Sequence, residues 1–342
     1  LIMKNIKYLI FEKLASSKIK KRKKYQLKKE DIKSVLLIRQ DNRIGNIIFI
    51  TSLINLIEKE LNVKPDVILG EKFNGILKNN PHINKLLVYS QKKFLKNPIL
   101  FFKFIKTMKE KQYDLIIDCK NAFSFNNSLI TLLANGKVKI GFENIYSNKY
   151  LDYAVDGREL VNLHESEYLA APFLKYFKID SPVPEMNYYL NNEKIQIVKN
   201  PESKNKKQIG IHIGGRGQKS LDIEIINDIL EKFTNYDVKI IYGPDEIEKL
   251  KFIKDKKNIE RIFPKTIDDL AILINTLDVF ITPDTGPLHV ASALNKNIIA
   301  LFTGDTFQRY GPRTSKKSLC IDVSTESKEI TINKIAEFIS SI

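Results

Sequence analysis

Short β-branched apolar runs alternate with amphipathic stretches along most of the chain, and they do so in two series. The first is SVLLIR (34–39), DVIL (66–69), KLLVY (85–89), DLIIDC (114–119) and KVKIGF (137–142). The second is QIGIHI (208–213), DVKIIYG (237–243), DVFITP (278–283) and NIIALF (297–302). Helical patterns such as NIIFITSLINLIEKELN fill the gaps. Strands that are apolar throughout are covered on both faces, and the intervening helices supply the cover, so the pattern predicts parallel sheets in an α/β fold. Between the series lies SPVPEMNYYLNNEKIQIVKNPESKNKK, rich in Pro, Asn and Lys and without periodicity. A boundary there separates two Rossmann-like halves, expected at 34–190 and 205–342. With 342 residues, 43% of them hydrophobic, the chain is long enough to build two cores.

The net charge of +16 is unevenly placed: the first 34 residues hold 12 Lys/Arg against 3 Asp/Glu. Within 1–33, Ile6, Leu9, Ile10, Phe11 and Leu14 fall at roughly helical spacing ahead of KIKKRKK. The apolar part is too short to span a bilayer, is interrupted by Lys, and lacks the small-residue cleavage site of a signal peptide. It reads as a basic amphipathic arm for an anionic membrane surface. The alternative is a solvated lysine-rich arm without a partner. Nucleic acid is not expected, because no nucleic-acid module accompanies the charge. The two cysteines, Cys119 and Cys320, are far apart, which argues against a disulfide framework and for a reducing compartment. His82, His164, His212 and His289 stand apart from one another and from cysteine, so no metal site is expected.

In doubly wound sheets ligands bind beyond the carboxyl ends of the strands, which singles out three loops of the second half. After QIGIHI comes GGRGQK, where Gly214 and Gly215 allow close backbone approach and Lys219 can meet an anion. After DVKIIYG, Glu246 opens a helix. After DVFITP comes DTGPLHVASAL, where Asp284 and Thr285 can cap a helix whose first turn offers N–H groups from Gly286 onward, a setting that suits phosphate. Singly, the D-T-G turn reads equally as a plain cap and His289 as a structural hydrogen-bonder. Three such loops on one sheet edge point to a diphosphate-containing ligand.

DTGPLHVASALNKNIIALF followed by YGP, the GGRGQK loop, the IIYGPDE turn, YDLIIDCKNAFSFNNSLITLLANGKVKIGF and IRQDNRIGNIIFITSLINLI together resemble glycosyltransferase family 9, the lipopolysaccharide heptosyltransferases. The resemblance runs over about residues 34 to 315. It implies a GT-B fold, two Rossmann-like domains facing across a cleft, with ADP-heptose held by the C-terminal domain and a sugar acceptor by the N-terminal one. It places Lys219 at donor phosphate, Glu246 at the nucleoside, Lys265 near the adenine, and Thr285 and Gly286 at the diphosphate. Asp284 and His289 would lie close to the donor sugar or phosphate. It implies an inverting, metal-independent transfer with no cofactor beyond the donor substrate. The acceptor would be lipid A-Kdo or a core oligosaccharide, and the enzyme would be cytoplasmic and peripheral on the inner membrane.

One position departs from the family. The first strand usually ends R-x-x-x-x-G-D, with the Asp as general base, and this chain has Asn46 there, which cannot take up a proton in that role. Asp41, five residues earlier, is either a replacement base or an Asx-turn residue. Arg39 and Arg43 either hold an acceptor phosphate or Kdo carboxylate or are solvated. Asn46 therefore keeps a nucleotide-sugar-binding protein with impaired catalysis open beside the transferase, and a family member using another nucleotide sugar is a further alternative.

Overall fold

The computed structural model describes residues 2–19, 26–191, 206–215, 217 and 221–342, with backbone alone for 2–7 and 17–19. The chain divides into two compact units, Leu1–Asn42 with Phe49–Pro184, and Arg43–Ile48 with Glu185–Ile342.

The first unit holds a six-stranded sheet: β1 (Val35–Arg39), β2 (Asp66–Gly70), β3 (Lys85–Tyr89), β4 (Tyr113–Asp118), β5 (Gly136–Phe142) and β6 (Tyr153–Val155). Their spatial order is β3-β2-β1-β4-β5-β6 and every pairing is parallel. β1 lies between β2 and β4, with Leu37 opposite both Val67 and Ile117. All five β1 residues are buried, as their uninterrupted apolar run requires. The second unit repeats the plan with β7 (Gln208–His212), β8 (Asp237–Ile241), β9 (Ile259–Ile262), β10 (Val279–Pro283), β11 (Asn297–Phe302) and β12 (Ser318–Asp322), in the order β12-β11-β10-β7-β8-β9. Both are the doubly wound order in which the chain reverses direction of travel across the sheet once. The reversal falls at β1/β4 in one sheet and at β7/β10 in the other, and the carboxyl ends at those two places are where such sheets open a crevice.

Helices cover the sheets. α1 (Ile2–Ile19) docks on the first unit rather than standing clear of it: Phe11 and Ala15 are buried against Leu132, Tyr150 and Leu151, while Leu9, Ile10 and Leu14 remain exposed. The basic run at 20–24 lies outside the described residues. α2 (Ile44–Leu61) follows β1; α3 (Gln91–Lys96) and α4 (Pro98–Glu110) lie between β3 and β4; α5 (Phe125–Leu133) follows β4. Asn97 caps α4 through Ile99 N–H with Pro98 in its first turn, which accounts for the break between α3 and α4. Helix Glu165–Phe177 starts at a capping box of His164 and Glu167, which gives the buried His164 a local structural task. No described helix is long and apolar enough to cross a membrane.

Candidate functional site

At the second switch point, β7 ends in His212 and runs into Gly214 and Gly215, while β10 ends in Pro283 and runs into Asp284, Thr285 and the helix Gly286–Ala293. β7 and β10 are parallel neighbours, so sheet order alone brings these two loops together. His212 joins them: its Nδ1 lies 3.3 Å from Thr282 Oγ1 and 3.4 Å from Thr285 Oγ1. Burial lowers its pKa to about 4, with Lys249 adding to the effect, so the ring is neutral at physiological pH and orients hydroxyls rather than supplying charge. Gly214 has to be glycine, since a Cβ there would lie 2.5 Å from His212 Nε2. The same Cβ would reach Glu246 Cδ at 3.4 Å, which puts the β8 loop at this corner too. Glu246 is buried and accepts from Gly243 N–H at 2.9 Å, closing the turn that follows β8.

Thr285 is the N-cap of Gly286–Ala293, yet its side chain makes no capping bond; its hydroxyl turns back to Pro283 C=O at 3.3 Å. Neither the Thr285 nor the Gly286 amide has an acceptor among the described residues. The next residue, Pro287, carries no N–H. Two backbone donors at a positive helix end are thereby without a protein acceptor among the described residues, a setting that suits an anion. Asp284 and His289 are buried beside them. The second unit also takes in Arg43–Ile48. A Cβ on Gly45 would lie 2.5 Å from His289 Cδ2, so glycine permits this close approach. Asn46 is half-buried in the same turn and Arg43 is exposed. Lys265 is exposed immediately before the cap Thr266, and Lys219 lies outside the described residues. Tyr242 and Phe263, at the ends of β8 and β9, stack with centroids 5.7 Å apart and offer a flat apolar wall that the pattern of single strands does not reveal.

At the first switch point, Arg39 is buried and donates to Cys119 C=O, with its guanidinium 3.6 Å from Asp41 Oδ2. Asp41 Oδ2 also accepts from Lys120 Nζ at 2.7 Å, and Oδ1 accepts from Asn42 N–H at 2.8 Å. Lys120, two residues beyond the end of β4, is absent from the residues that the sequence motifs single out, although a cation just past that strand end is the signal that finds it. Asp118 is 1% exposed beneath these groups, accepting from Lys120 N–H at 3.0 Å, Thr131 Oγ1 at 3.2 Å and Asn127 Nδ2. Burial raises its pKa to about 6 against those bonds. Among the described residues no group of three or more His, Cys, Asp or Glu is placed to hold a metal ion.

Two doubly wound sheets, one ending in a phosphate-suited helix turn, are the architecture of the GT-B glycosyltransferases. A family 9 glycosyl transferase from Veillonella parvula shares this fold with a TM-score of 0.79 at 16% identity, covering 94% of this chain and 100% of that one. The E. coli heptosyltransferase WaaC, solved with ADP, shares it with a TM-score of 0.72 at 17% identity, covering 90% and 99%. In sequence, lipopolysaccharide heptosyltransferase 1 of Campylobacter coli is 27% identical over 294 residues, 76% of this chain and 81% of its own. Residues 101–338 match the profile of glycosyltransferase family 9 (heptosyltransferase), and the chain belongs to that family.

Proposed function

We propose that the protein transfers a heptose from ADP-heptose, with inversion and without a metal ion, to the inner core of lipopolysaccharide or lipooligosaccharide. The observation that carries this reading is the pair of unclaimed amides at Thr285 and Gly286, at the corner where Gly214 and Glu246 also meet. Diphosphate oxygens accept from those amides, and the helix end stabilises the negative charge that grows on ADP as the glycosidic bond breaks. His212, being neutral, fixes the Thr282 and Thr285 hydroxyls and contributes no charge. Further positive charge comes from Lys219, whose place at the phosphate rests on the family resemblance. Tyr242 and Phe263 supply a wall for the adenine, with Lys265 two residues beyond Phe263.

Asp41 is the candidate base on the acceptor side. Asp118 is sealed by Asn127 and Thr131, and Asn46 has no proton-accepting carboxylate. The binding-protein reading is favoured by Asn46, and one experiment separates the two. Incubation with ADP-heptose and truncated core acceptors should release ADP and raise the acceptor mass by one heptose, and chelation by EDTA should leave the rate unchanged. Asp41→Asn should then lower kcat by about 10²–10⁴-fold with ADP affinity intact. ADP binding without any turnover, restored by Asn46→Asp, would establish the binding-protein reading. Turnover with another nucleotide sugar alone would correct the donor.

A further inference from the structure

The Gln91–Glu110 segment has an outer face that the core of its own unit does not cover. On the inner side Ile105 and Met108 are buried, and Phe94, Phe101 and Phe104 lean half-buried on the same core. On the outer side Leu95, Ile99 and Phe102 are 76%, 62% and 68% exposed. Helical spacing puts Ile99, Phe102, Lys103, Lys106 and Lys109 together, opposite Phe101, Ile105 and Met108. Residues 91–109 contain six lysines and no acid; the first acid is Glu110 at the far end of α4. Lys93 pairs with Glu71 at 2.7 Å, whereas Lys92, Lys96, Lys103, Lys106 and Lys109 form no ion pair among the described residues.

An apolar strip this exposed gains nothing from water, and unpaired lysines beside it define what covers it. Protein interfaces are depleted in lysine at their centres. An anionic bilayer instead offers phosphates to the ammonium groups and an acyl boundary to the apolar side chains, and long lysine stems reach from one to the other. We propose that α3 and α4 form a folded docking surface for anionic lipid, separate from the basic arm at 1–33. It goes beyond the transferase reading and rests on this patch alone.

The chain contains no tryptophan, so F102W places a single indole in the strip. In the full chain, phosphatidylcholine vesicles containing phosphatidylglycerol should shift its emission to the blue and brominated lipid should quench it, while phosphatidylcholine alone does neither. L95Q/I99Q/F102Q and, separately, K96Q/K103Q/K106Q should each lower partitioning onto the anionic vesicles at least tenfold. Melting temperature and ADP affinity, measured as folding controls, should stay at wild-type values because the replaced side chains are exposed. Three results would each overturn the proposal. The first is wild-type protein that fails to bind the vesicles. The second is protein that binds while the F102W emission stays unchanged, which would assign binding to the arm. The third is an emission shift that follows protein concentration without lipid, which would make the strip a contact between copies.

Discussion

Asp118 and Asp41 stand at the same sheet edge in opposite surroundings. Asp41 lies between Arg39 and Lys120, within reach of solvent through Lys120, which is partly exposed. Asp118 sits below, where burial favours its neutral form and raises its pKa from 3.8 to about 6. A neutral Asp118 has a proton to donate and a charged one only accepts, so its ionisation changes the bonds that orient Asn127, which in turn accepts from Gln40 N–H at 2.9 Å next to Asp41. The sign of the stability effect follows from linkage. Between about pH 4 and 6 the folded state holds a proton that the unfolded state has released, so this group's contribution is greatest below pH 4 and is lost as pH rises through 6. Asp118→Asn has no such proton. Relative to wild type, the variant should therefore gain about 3 kcal/mol between pH 4 and 7, because a tenfold change in an ionisation constant corresponds to about 1.4 kcal/mol. Urea unfolding at a series of pH values measures it, and parallel stability curves for the two proteins would show that Asp118 ionises in the folded protein as it does in water.

Nine of the twelve strands are legible as continuous apolar runs, and β6, β9 and β12 are not. All three are edge strands or lie at the end of a sheet, where one side lacks a neighbour and the demand for apolar residues relaxes: β9 is IERI with both central residues exposed, and β6 has three residues. The D-T-G turn and the Gly214–Gly215 loop are legible from turn chemistry, since local spacing specifies them. The Lys120–Asp41 pair and the His212 bonds to Thr282 and Thr285 are not, because they join residues 70 or more positions apart through strand order. α1 marks the same limit. The spacing of its apolar residues reads as one membrane-facing set, but tertiary packing splits them, with Phe11 edge-on to Tyr150 at 5.6 Å and to Phe123 at 5.2 Å. A helix with a fully buried aromatic belongs to the fold of the first unit. Phe11→Ala should cost that unit about 3–5 kcal/mol if α1 stays docked, or less if the helix detaches. Hydrogen exchange distinguishes these: detachment removes protection from amides 8–16, whereas full protection at unchanged stability would mean that Phe11 holds nothing.

Charge is divided between the halves more sharply than the arm alone suggests. Residues 1–184 carry 33 Lys/Arg against 18 Asp/Glu, and residues 185–342 carry 23 against 22. The first half therefore projects a positive field, while the second is close to neutral and presents the oriented backbone amides of Thr285 and Gly286, which act only at contact range. Salt acts on these differently. Between 0.1 and 1 M the Debye length falls from about 10 to about 3 Å, which removes long-range attraction but leaves hydrogen bonds made at contact largely intact. Each lysine near an anionic surface contributes about 1 kcal/mol at low salt, so an array of them is far more exposed to screening than a single bound diphosphate. Raising KCl over that range should weaken binding to anionic, acceptor-bearing vesicles by more than about tenfold, at about 1.4 kcal/mol per decade. The Kd for ADP, measured by titration calorimetry in the same buffers, should rise by less than about threefold. Equal loss in both would mean that the diphosphate is held chiefly by exposed side-chain charge, and Lys219 rather than the Thr285–Gly286 turn would then be the dominant anchor of the donor.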